Sequence, residues 1–454
     1  MKVQSFNPAT EQVNKEFDTF STEQVNEACR NAVTAFGEWR KLDASERAKY
    51  MGRLSSVLKA KSREYGRLMT LDMGKPIKQA ISEVEKCAWA AEVYAANWQK
   101  WLADEMVEAG AKKSFITLQP IGVVLSIMPW NFPFWQAMRF GIPALTMGNV
   151  SVLRHSNVCP MSAMAIEESF RLAGFPEGTF RTIITDHDEV KRLIRSNLIS
   201  GVSLTGSVEA GRTVGALAGK NIKKFVLELG GSDPFVVLED ADVKMASQKA
   251  AEGRVVNSGQ SCIAAKRFIV VKSVAEEFTA GLSEAMSRLK VGNPLDMDTD
   301  VGPMASRQQV EVLDAQVKRA VTSGAKVVIG GKRMGGKGFF YAPTVLSSVR
   351  ANMAIAREEV FGPVAPVIVA KDEKDAVRIA NNSRFGLGGS VWTSDSMKGE
   401  RIARELEVGL AYVNGVVASD PRFPFGGIKQ SGIGRELSRY GLLEFANIKA
   451  IIMK

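Results

Sequence analysis

Cys262 is the residue of this 454-residue chain whose surroundings best suit nucleophilic chemistry. It ends the small polar run Asn-Ser-Gly-Gln-Ser-Cys at 257–262 and is followed by apolar residues. A nucleophilic cysteine needs exposure, room for a substrate and stabilisation of its thiolate, and this context permits them. The other three cysteines fall on apolar helical faces or in a turn, where cysteine is usually structural. A structural role is also the alternative for Cys262.

Glu228 is a candidate general base. It interrupts the apolar run 226–229 immediately before two glycines. Burial at that point would raise the pKa of its carboxyl group towards neutrality, which suits proton abstraction. The alternative is a solvated carboxylate at the end of a strand.

Asn131 is a candidate oxyanion donor. It lies in the run Met-Pro-Trp-Asn-Phe-Pro-Phe-Trp at 128–135, which its prolines keep out of a regular helix or central strand. An amide N–H held by so rigid a loop can stabilise a developing oxyanion. A proline-stiffened packing loop is the alternative.

A glycine-rich turn at 203–213 joins a strand-like run to a helix-like one, which leaves backbone N–H groups free for phosphate. Its spacing is close to that of a P-loop, but Arg212 occupies the position of the P-loop lysine. The chain also lacks the G-x-G-x-x-G dinucleotide motif. A tight turn without a ligand and a P-loop nucleotide hydrolase both stay open at this point.

The elements that must position these residues predict an α/β fold. Helical periodicity extends from about residue 21 to residue 104, and strand-like and helix-like segments alternate after it, which favours largely parallel sheets. The segments predicted as strands are 114–118, 123–127, 150–153, 201–204, 225–229, 235–238, 268–271, 327–329 and 446–453, and a helix is predicted over 161–173.

Composition narrows the class of protein. Two histidines and four cysteines without CxxC spacing argue against a metal site or a disulfide framework, so we expect a cytoplasmic protein. The sequence shows no signal-peptide pattern and no apolar run near the roughly 20 residues of a membrane span. The net charge is +10, but basic residues occur only in short pairs, which disfavours a nucleic-acid-binding protein.

Together these motifs resemble the NAD(P)-dependent aldehyde dehydrogenase superfamily over almost the whole chain. The matching segments are PWNFP at 129–133, TGS at 205–207, ELGG at 228–231, NSGQSC at 257–262, EVFGP at 359–363 and FGGIKQSG at 425–432. The resemblance implies the aldehyde dehydrogenase fold, an α/β structure with a Rossmann-like cofactor domain, an α/β catalytic domain and a β-strand oligomerisation arm. The implied boundaries are 1–112 and 132–229 for the cofactor domain, 230–424 for the catalytic domain, and 113–131 with 425–454 for the arm.

The resemblance implies oxidation of an aldehyde to a carboxylic acid without a metal. Cys262 attacks the carbonyl, Asn131 and the Cys262 backbone N–H stabilise the oxyanion, and Glu228 activates the water that hydrolyses the thioester. No histidine is needed. The implied partners are a small aldehyde and further copies of the chain in a homodimer or homotetramer, with no nucleic acid and no membrane.

The resemblance also implies a nicotinamide cofactor. Its implied contacts are Pro129, Trp130, Arg154, Asn157, Gly206, Ser207, Glu359 and Phe361. Ser207 would meet the pyrophosphate at a helix N-terminus, and Glu359 and Phe361 would hold the nicotinamide ribose and ring. Asn157 stands where NAD-preferring members often carry a glutamate, and Arg154 replaces the usual lysine. Because these two residues would accept a 2′-phosphate, we expect NADP in preference to NAD.

Within the superfamily the chain most resembles bacterial-type succinate-semialdehyde dehydrogenases, through the runs 135–140 and 417–420. The implied substrate contacts are Trp135, Arg139 and Ser419, with Arg139 facing a carboxylate through bidentate hydrogen bonds. A structural ion pair is the alternative for Arg139. Val256 departs from animal relatives, which carry an arginine there. Succinate semialdehyde is the expected substrate, and lactaldehyde, glutarate semialdehyde or a neutral aldehyde are the alternatives.

Overall fold

The computed structural model describes residues 2–454. The α-helices, numbered in chain order, are α1 Thr22–Trp39, α2 Ala44–Ala60, α3 Ser62–Met73, α4 Ile77–Leu102, α5 Pro133–Met147, α6 Pro160–Leu172, α7 His187–Arg195, α8 Val208–Lys220, α9 Val243–Val255, α10 Ala275–Ser287, α11 Arg307–Thr322, α12 Ala354–Arg357, α13 Glu373–Asn381, α14 Ser396–Glu405 and α15 Ser438–Glu444.

The strands, numbered in the same way, are β1 Lys2–Asn7, β2 Gln12–Asp18, β3 Glu105–Met106, β4 Lys113–Pro120, β5 Val123–Met128, β6 Val150–His155, β7 Phe180–Ile183, β8 Gly201–Thr205, β9 Lys224–Glu228, β10 Asp233–Val237, β11 Ala265–Val271, β12 Lys326–Ile329, β13 Thr344–Val349, β14 Val364–Ala370, β15 Phe385–Gly386, β16 Gly388–Trp392, β17 Leu410–Val413, β18 Ile428–Lys429, β19 Gly432–Ile433 and β20 Ala446–Met453. Every strand predicted above, and the helix at 161–173, is present within a few residues of its predicted bounds. The β1–β2 hairpin was not predicted.

The first large sheet carries the strand order β19-β9-β8-β5-β6-β7. The five strands from β9 to β7 are parallel, and β19 joins β9 antiparallel. Helices lie against the sheet, and β5, β6 and β8 are buried almost throughout, as continuous apolar strands of a covered parallel sheet must be. The carboxyl ends of β5, β6 and β8 share one edge, where ligands of parallel sheets usually bind.

The second large sheet has the order β12-β13-β14-β11-β10-β16-β17, and all neighbouring pairs except β12–β13 are parallel. Along β10 the side chains alternate between two cores. Phe235 and Val237 pack on one face of the sheet and Val236 packs on the other. This sheet carries the Cys262 segment, which enters it as β11.

A separate three-stranded sheet has the order β20-β4-β3. β20 pairs antiparallel with β4 over eight residues, from Ala446 opposite Pro120 to Met453 opposite Lys113. The outer edge of β20 has no partner strand among the described residues, and its side chains Ile448 and Ile452 are 57% and 61% exposed.

The structure corrects two of the predicted boundaries. The segment 123–128 was assigned to the arm but forms β5 in the middle of the first large sheet, because its side chains are apolar on both faces. The segment 425–445 was also assigned to the arm. It contributes β19 to the same sheet, and only 446–453 pairs with β4.

None of the described helices combines the length and the apolar character that crossing a membrane requires.

Candidate active site

Two cavities meet at Cys262. Their volumes are about 280 Å³ and about 540 Å³, and Cys262 and Gln136 line both of them. The smaller cavity is lined by residues of the 129–131, 205–207 and 359–361 motifs, and the larger cavity by α4, α5 and the loop 416–419. A thiol at this junction can face one ligand in each cavity.

The backbone before Cys262 is folded unusually. Asn257, Ser258 and Gly259 have successive φ values of 52°, 55° and 79°, a left-handed conformation that residues other than glycine rarely adopt. A methyl group on Gly259 would overlap the carbonyl oxygen of Gly362, whose N–H donates to the Gly259 carbonyl at 3.0 Å. The motif at 257–262 therefore forms a turn that packs the loop before Cys262, the cysteine loop, closely against Gly362.

Buried side chains hold this turn. Arg254 donates to the carbonyl oxygens of Gly259 at 2.6 Å and Ala265 at 2.8 Å. The Lys266 ammonium donates to the carbonyl oxygens of Ser261 at 2.8 Å and Cys262 at 2.6 Å. Because both cations bind main-chain oxygens on either side of the thiol, its position is fixed by the loop itself.

The Cys262 thiol is protonated at neutral pH in this conformation. Burial raises its pKa to about 12, and the positive charges of Arg139 and Lys266 oppose that shift only in part. A thiolate must therefore form when the site is loaded or when a base accepts the proton.

Asn131 faces the smaller cavity close to the cysteine loop. The Asn131 Nδ2 donates one hydrogen to the carbonyl oxygen of Gln260 at 3.1 Å, and the main-chain carbonyl oxygen of Asn131 accepts from Asn257 Nδ2 at 2.7 Å. An amide NH₂ has two hydrogens, so one remains for a ligand. Among the described residues, none accepts the Cys262 backbone N–H, so a second donor is available nearby.

Glu228 ends β9 and is buried, yet it does not line either cavity. Neither carboxylate oxygen has a hydrogen-bond partner among the described residues. Burial raises its pKa well above the usual range, the charge of Arg139 opposes this, and Glu436 adds to it. Glu228 is therefore a neutral acid here. It acts as a base only if its side chain turns towards water.

The smaller cavity reaches the N-terminus of α8. Ser207 caps this helix, with its Oγ accepting from the Ala210 N–H at 3.2 Å, and Gly206 precedes it. A helix N-terminus carries unpaired N–H groups and a partial positive charge, which suit an anion such as a diphosphate.

Glu359 and the aromatic rings of Trp130 and Phe361 also line this cavity. Glu359 Oε1 accepts from the Gly231 N–H at 2.9 Å and lies 3.6 Å from Lys266 Nζ. The rings of Trp130 and Phe361 meet edge to face with their centroids 6.0 Å apart. The arrangement offers a carboxylate for hydroxyl groups and a flat apolar surface for a ring.

Arg154 and Asn157 lie at the carboxyl end of β6, outside the residues that line the smaller cavity. Arg154 donates to the Thr185 carbonyl oxygen at 3.3 Å and to Asn157 Oδ1 at 3.4 Å. The two residues thus contact each other, and their joint role at a 2′-phosphate stays a prediction.

The larger cavity contains Trp135, Arg139 and Ser419, the three predicted substrate contacts. Arg139 is 1% exposed and forms a buried ion pair with Glu436. Its guanidinium group lies over the ring of Phe425. The ion pair considered as an alternative is therefore present. The role of Arg139 as a substrate contact therefore stays a prediction.

Comparison with known proteins decides the family. Residues 1–451 match the aldehyde dehydrogenase family. The chain belongs to the aldehyde dehydrogenase family.

Known relatives of this aldehyde dehydrogenase match it over almost its full length. A probable succinate-semialdehyde dehydrogenase [NADP(+)] of Synechocystis is 45% identical over 451 residues, with 99% of each chain covered. A succinate-semialdehyde dehydrogenase [NADP(+)] of Mycobacterium tuberculosis is 42% identical, again over 99% of each chain. The crystal structure of succinic semialdehyde dehydrogenase from Streptococcus pyogenes with NADP+ superposes with a TM-score of 0.97 at 34% identity, covering 99% of both chains.

Three residues of this aldehyde dehydrogenase line or support the site but were not predicted from the sequence. Gln136 lines both cavities, Lys266 holds the cysteine loop, and Lys86 lines the larger cavity. Gln136 and Lys266 stand next to predicted motifs, so proximity was a usable signal for them. Lys86 lies 45 residues before Asn131 in a helix, and its charge is typical of any solvated helical face.

Proposed function

We propose that this aldehyde dehydrogenase oxidises succinate semialdehyde to succinate with NADP+ as the hydride acceptor. The observation that carries the proposal is the position of Cys262 between a cavity that ends at a helix N-terminus and a cavity rich in basic side chains. The names of the relatives from Synechocystis and Mycobacterium support it.

In the proposed reaction the Cys262 thiolate attacks the aldehyde carbonyl from the larger cavity. The free hydrogen of Asn131 Nδ2 and the Cys262 backbone N–H then stabilise the oxyanion of the thiohemiacetal. NADP+ supplies the hydride acceptor when it is bound. Loss of a hydride from the thiohemiacetal leaves a thioester of the substrate acid on Cys262.

Glu228 activates the water that hydrolyses this thioester. The side chain is neutral where it lies, because burial without a hydrogen-bond partner disfavours its charge. Rotation towards the cavities that Cys262 lines would expose the side chain and restore the carboxylate. The proposal therefore assigns Glu228 two positions, with the base form in the exposed one.

The residues of the smaller cavity fit NADP+. Ser207 and Gly206 at the start of α8 would hold the pyrophosphate, Glu359 the nicotinamide ribose, and Trp130, Pro129 and Phe361 the nicotinamide ring. Beyond the cavity lining, Arg154 and Asn157 would meet the 2′-phosphate, for which a guanidinium is a suitable partner.

We assign Trp135, Arg139 and Ser419 to the substrate side of Cys262, where all four residues line one cavity. We also propose that the exposed outer edge of β20 pairs with another subunit in a homodimer or homotetramer, because unpaired strand edges are usually covered.

Steady-state kinetics with succinate semialdehyde, comparing NADP+ with NAD+, tests the proposal. We expect a higher kcat/KM with NADP+ than with NAD+. We also expect a higher kcat/KM for succinate semialdehyde than for lactaldehyde or glutarate semialdehyde. Cys262→Ala is the control and should abolish NADPH formation. Equal kcat/KM values for a neutral aldehyde and succinate semialdehyde would contradict the proposed substrate.

A further inference from the structure

One side of α4 forms a wall of the larger cavity. Lys78, Ser82 and Lys86 are spaced four residues apart, which places them on the same helical face, and all three line the cavity. Of these three residues, Lys86 also contacts Trp135 and Ser419.

Four charged side chains line this cavity, and three of them are neutralised within the protein. The pairs are Lys78 with Asp300 at 2.7 Å, Glu83 with Lys75, and Arg139 with Glu436. The fourth is Lys86. No carboxylate of the described residues lies within ion-pair distance of its ammonium group. The cavity therefore has one cation that no protein group neutralises.

The position of the Lys86 ammonium group is fixed. It donates to Ser419 Oγ at 2.8 Å and lies 4.6 Å from the centre of the Trp135 ring. Two further polar atoms in the same lining, Trp135 Nε1 and Ser261 Oγ, are buried without a hydrogen-bond partner in the described structure. Donors of lysine, tryptophan and serine side chains thus line this cavity, together with one unpartnered acceptor, Gln136 Oε1.

The surroundings of Lys86 favour an incoming anion. The pKa of Lys86 is lowered to about 8, mainly by burial and also by the charge of Arg139, while Cys87, Glu83 and Asp420 act in the opposite direction. A carboxylate next to the ammonium group would return the electrostatic stabilisation that burial removes.

We propose that Lys86, supported by Ser419, binds the carboxylate of the substrate aldehyde and so determines its selection over neutral aldehydes. The assignment rests on the proposed oxidation of an aldehyde acid. It differs from the assignment of Arg139, whose guanidinium already has the Glu436 carboxylate as its partner.

The test compares succinate semialdehyde with butanal, a neutral aldehyde with the same number of carbon atoms. The measured quantity is the ratio of the two kcat/KM values for the wild type, Lys86→Met and Lys86→Arg. Lys86→Met keeps the length of the side chain over Trp135 but removes its charge. We expect the ratio to fall about 10- to 100-fold in Lys86→Met, through KM for succinate semialdehyde, and to stay within about threefold in Lys86→Arg.

Lys78→Met is the matched control, because it removes a lysine from the same helical face whose charge is already neutralised by Asp300. Its ratio should stay within about threefold of the wild-type value. If Lys86→Met does not fold, Lys86→Gln, which retains a donor for Ser419, takes its place with the same expected direction.

The outcomes separate the two proposals. A wild type without preference for succinate semialdehyde contradicts the proposed function and this inference together. A wild type with that preference and a Lys86→Met variant that keeps it contradicts the inference alone. If Lys78→Met lost the preference for succinate semialdehyde as strongly as Lys86→Met, the inference about Lys86 would also be overturned. The effect would then reflect the total positive charge of the cavity and not the position of Lys86.

Discussion

At the scale of single residues, the proposed reaction assigns stabilisation of the oxyanion to Asn131. One hydrogen of its amide is occupied by the Gln260 carbonyl oxygen, and the other faces the smaller cavity. Asn131→Ala removes this donor, so we expect kcat to fall on the order of 10²- to 10³-fold with a smaller change in KM. Steady-state kinetics measures both values. Asn131→Asp is the comparison, because it keeps the size but removes the donor, and it should be equally impaired.

The titration of Lys86 predicts a pH dependence. Its pKa is lowered to about 8, so the ammonium form is present below that pH and is lost as pH rises through it. We expect KM for succinate semialdehyde to rise above about pH 8, since the cation that binds the carboxylate disappears. KM for butanal over the same range serves as the reference for all other titrating groups, including Cys262. Parallel pH profiles for the two substrates would contradict the prediction.

Arg139 is expected to matter for stability. Its buried pair with Glu436 is flanked by Thr205 and Ser203, which contact the two partners. Arg139→Met leaves the Glu436 carboxyl group buried without its cation, and breaking such a pair costs about 3–5 kcal/mol. Urea unfolding measures the loss. Arg139→Met with wild-type stability and a selective loss of succinate semialdehyde activity would instead support direct binding of the carboxylate.

At the scale of elements, the turn before Cys262 is the part most sensitive to substitution. Gly259 combines a φ of 79° with a close approach to the Gly362 carbonyl oxygen. Gly259→Ala should therefore displace the cysteine loop and abolish most of the activity, at a cost of about 1–3 kcal/mol in stability.

Gly37→Ala is the matched control for that substitution. Gly37 lies within α1 and has free space around the position of an added methyl group. Alanine should stabilise this helix by up to about 1 kcal/mol and leave kcat unchanged. Thermal unfolding and steady-state kinetics on the two variants distinguish a local effect on the loop from a general effect of alanine. A fully active Gly259→Ala would contradict the importance of the turn.

At the scale of the whole molecule, the edge of β20 should govern assembly. Ile448 and Ile452 are exposed on this edge strand, which pairs with β4 on one side alone in the described structure. Ile448→Asp with Ile452→Asp should shift the protein towards monomers, because burying two carboxylates in an interface is unfavourable. Light scattering coupled to size-exclusion chromatography measures the mass. Met397→Asp, at an exposed apolar residue on α14, is the control and should not change it.

Much of the fold was predictable from the sequence because it depends on local patterns. Helical periodicity indicated the helical region that contains α1 to α4. Short apolar runs located β5, β6, β8 and β9 of the first large sheet and β10, β11 and β12 of the second, but not β7, β13, β14, β16, β17 or β19. The sheet to which β5 belongs was not predictable. Its sequence neighbours point to the arm, while its pairing with β6 and β8 depends on residues that are distant along the chain.

By itself, the sequence indicated many of the elements, the family and the candidate roles of Cys262 and Asn131, because each is carried by short motifs whose conformation is local. Tertiary structure alone decided which charges are neutralised. Arg139 meets Glu436 across 297 residues, and Lys86 meets Ser419 across 333. The apolar run around Glu228 left burial and a solvated strand end both open, and the fold shows that Glu228 is buried without a hydrogen-bond partner among the described residues. Because the energy of a charge depends on distance and burial, the free cation of the substrate cavity becomes visible only in the folded chain.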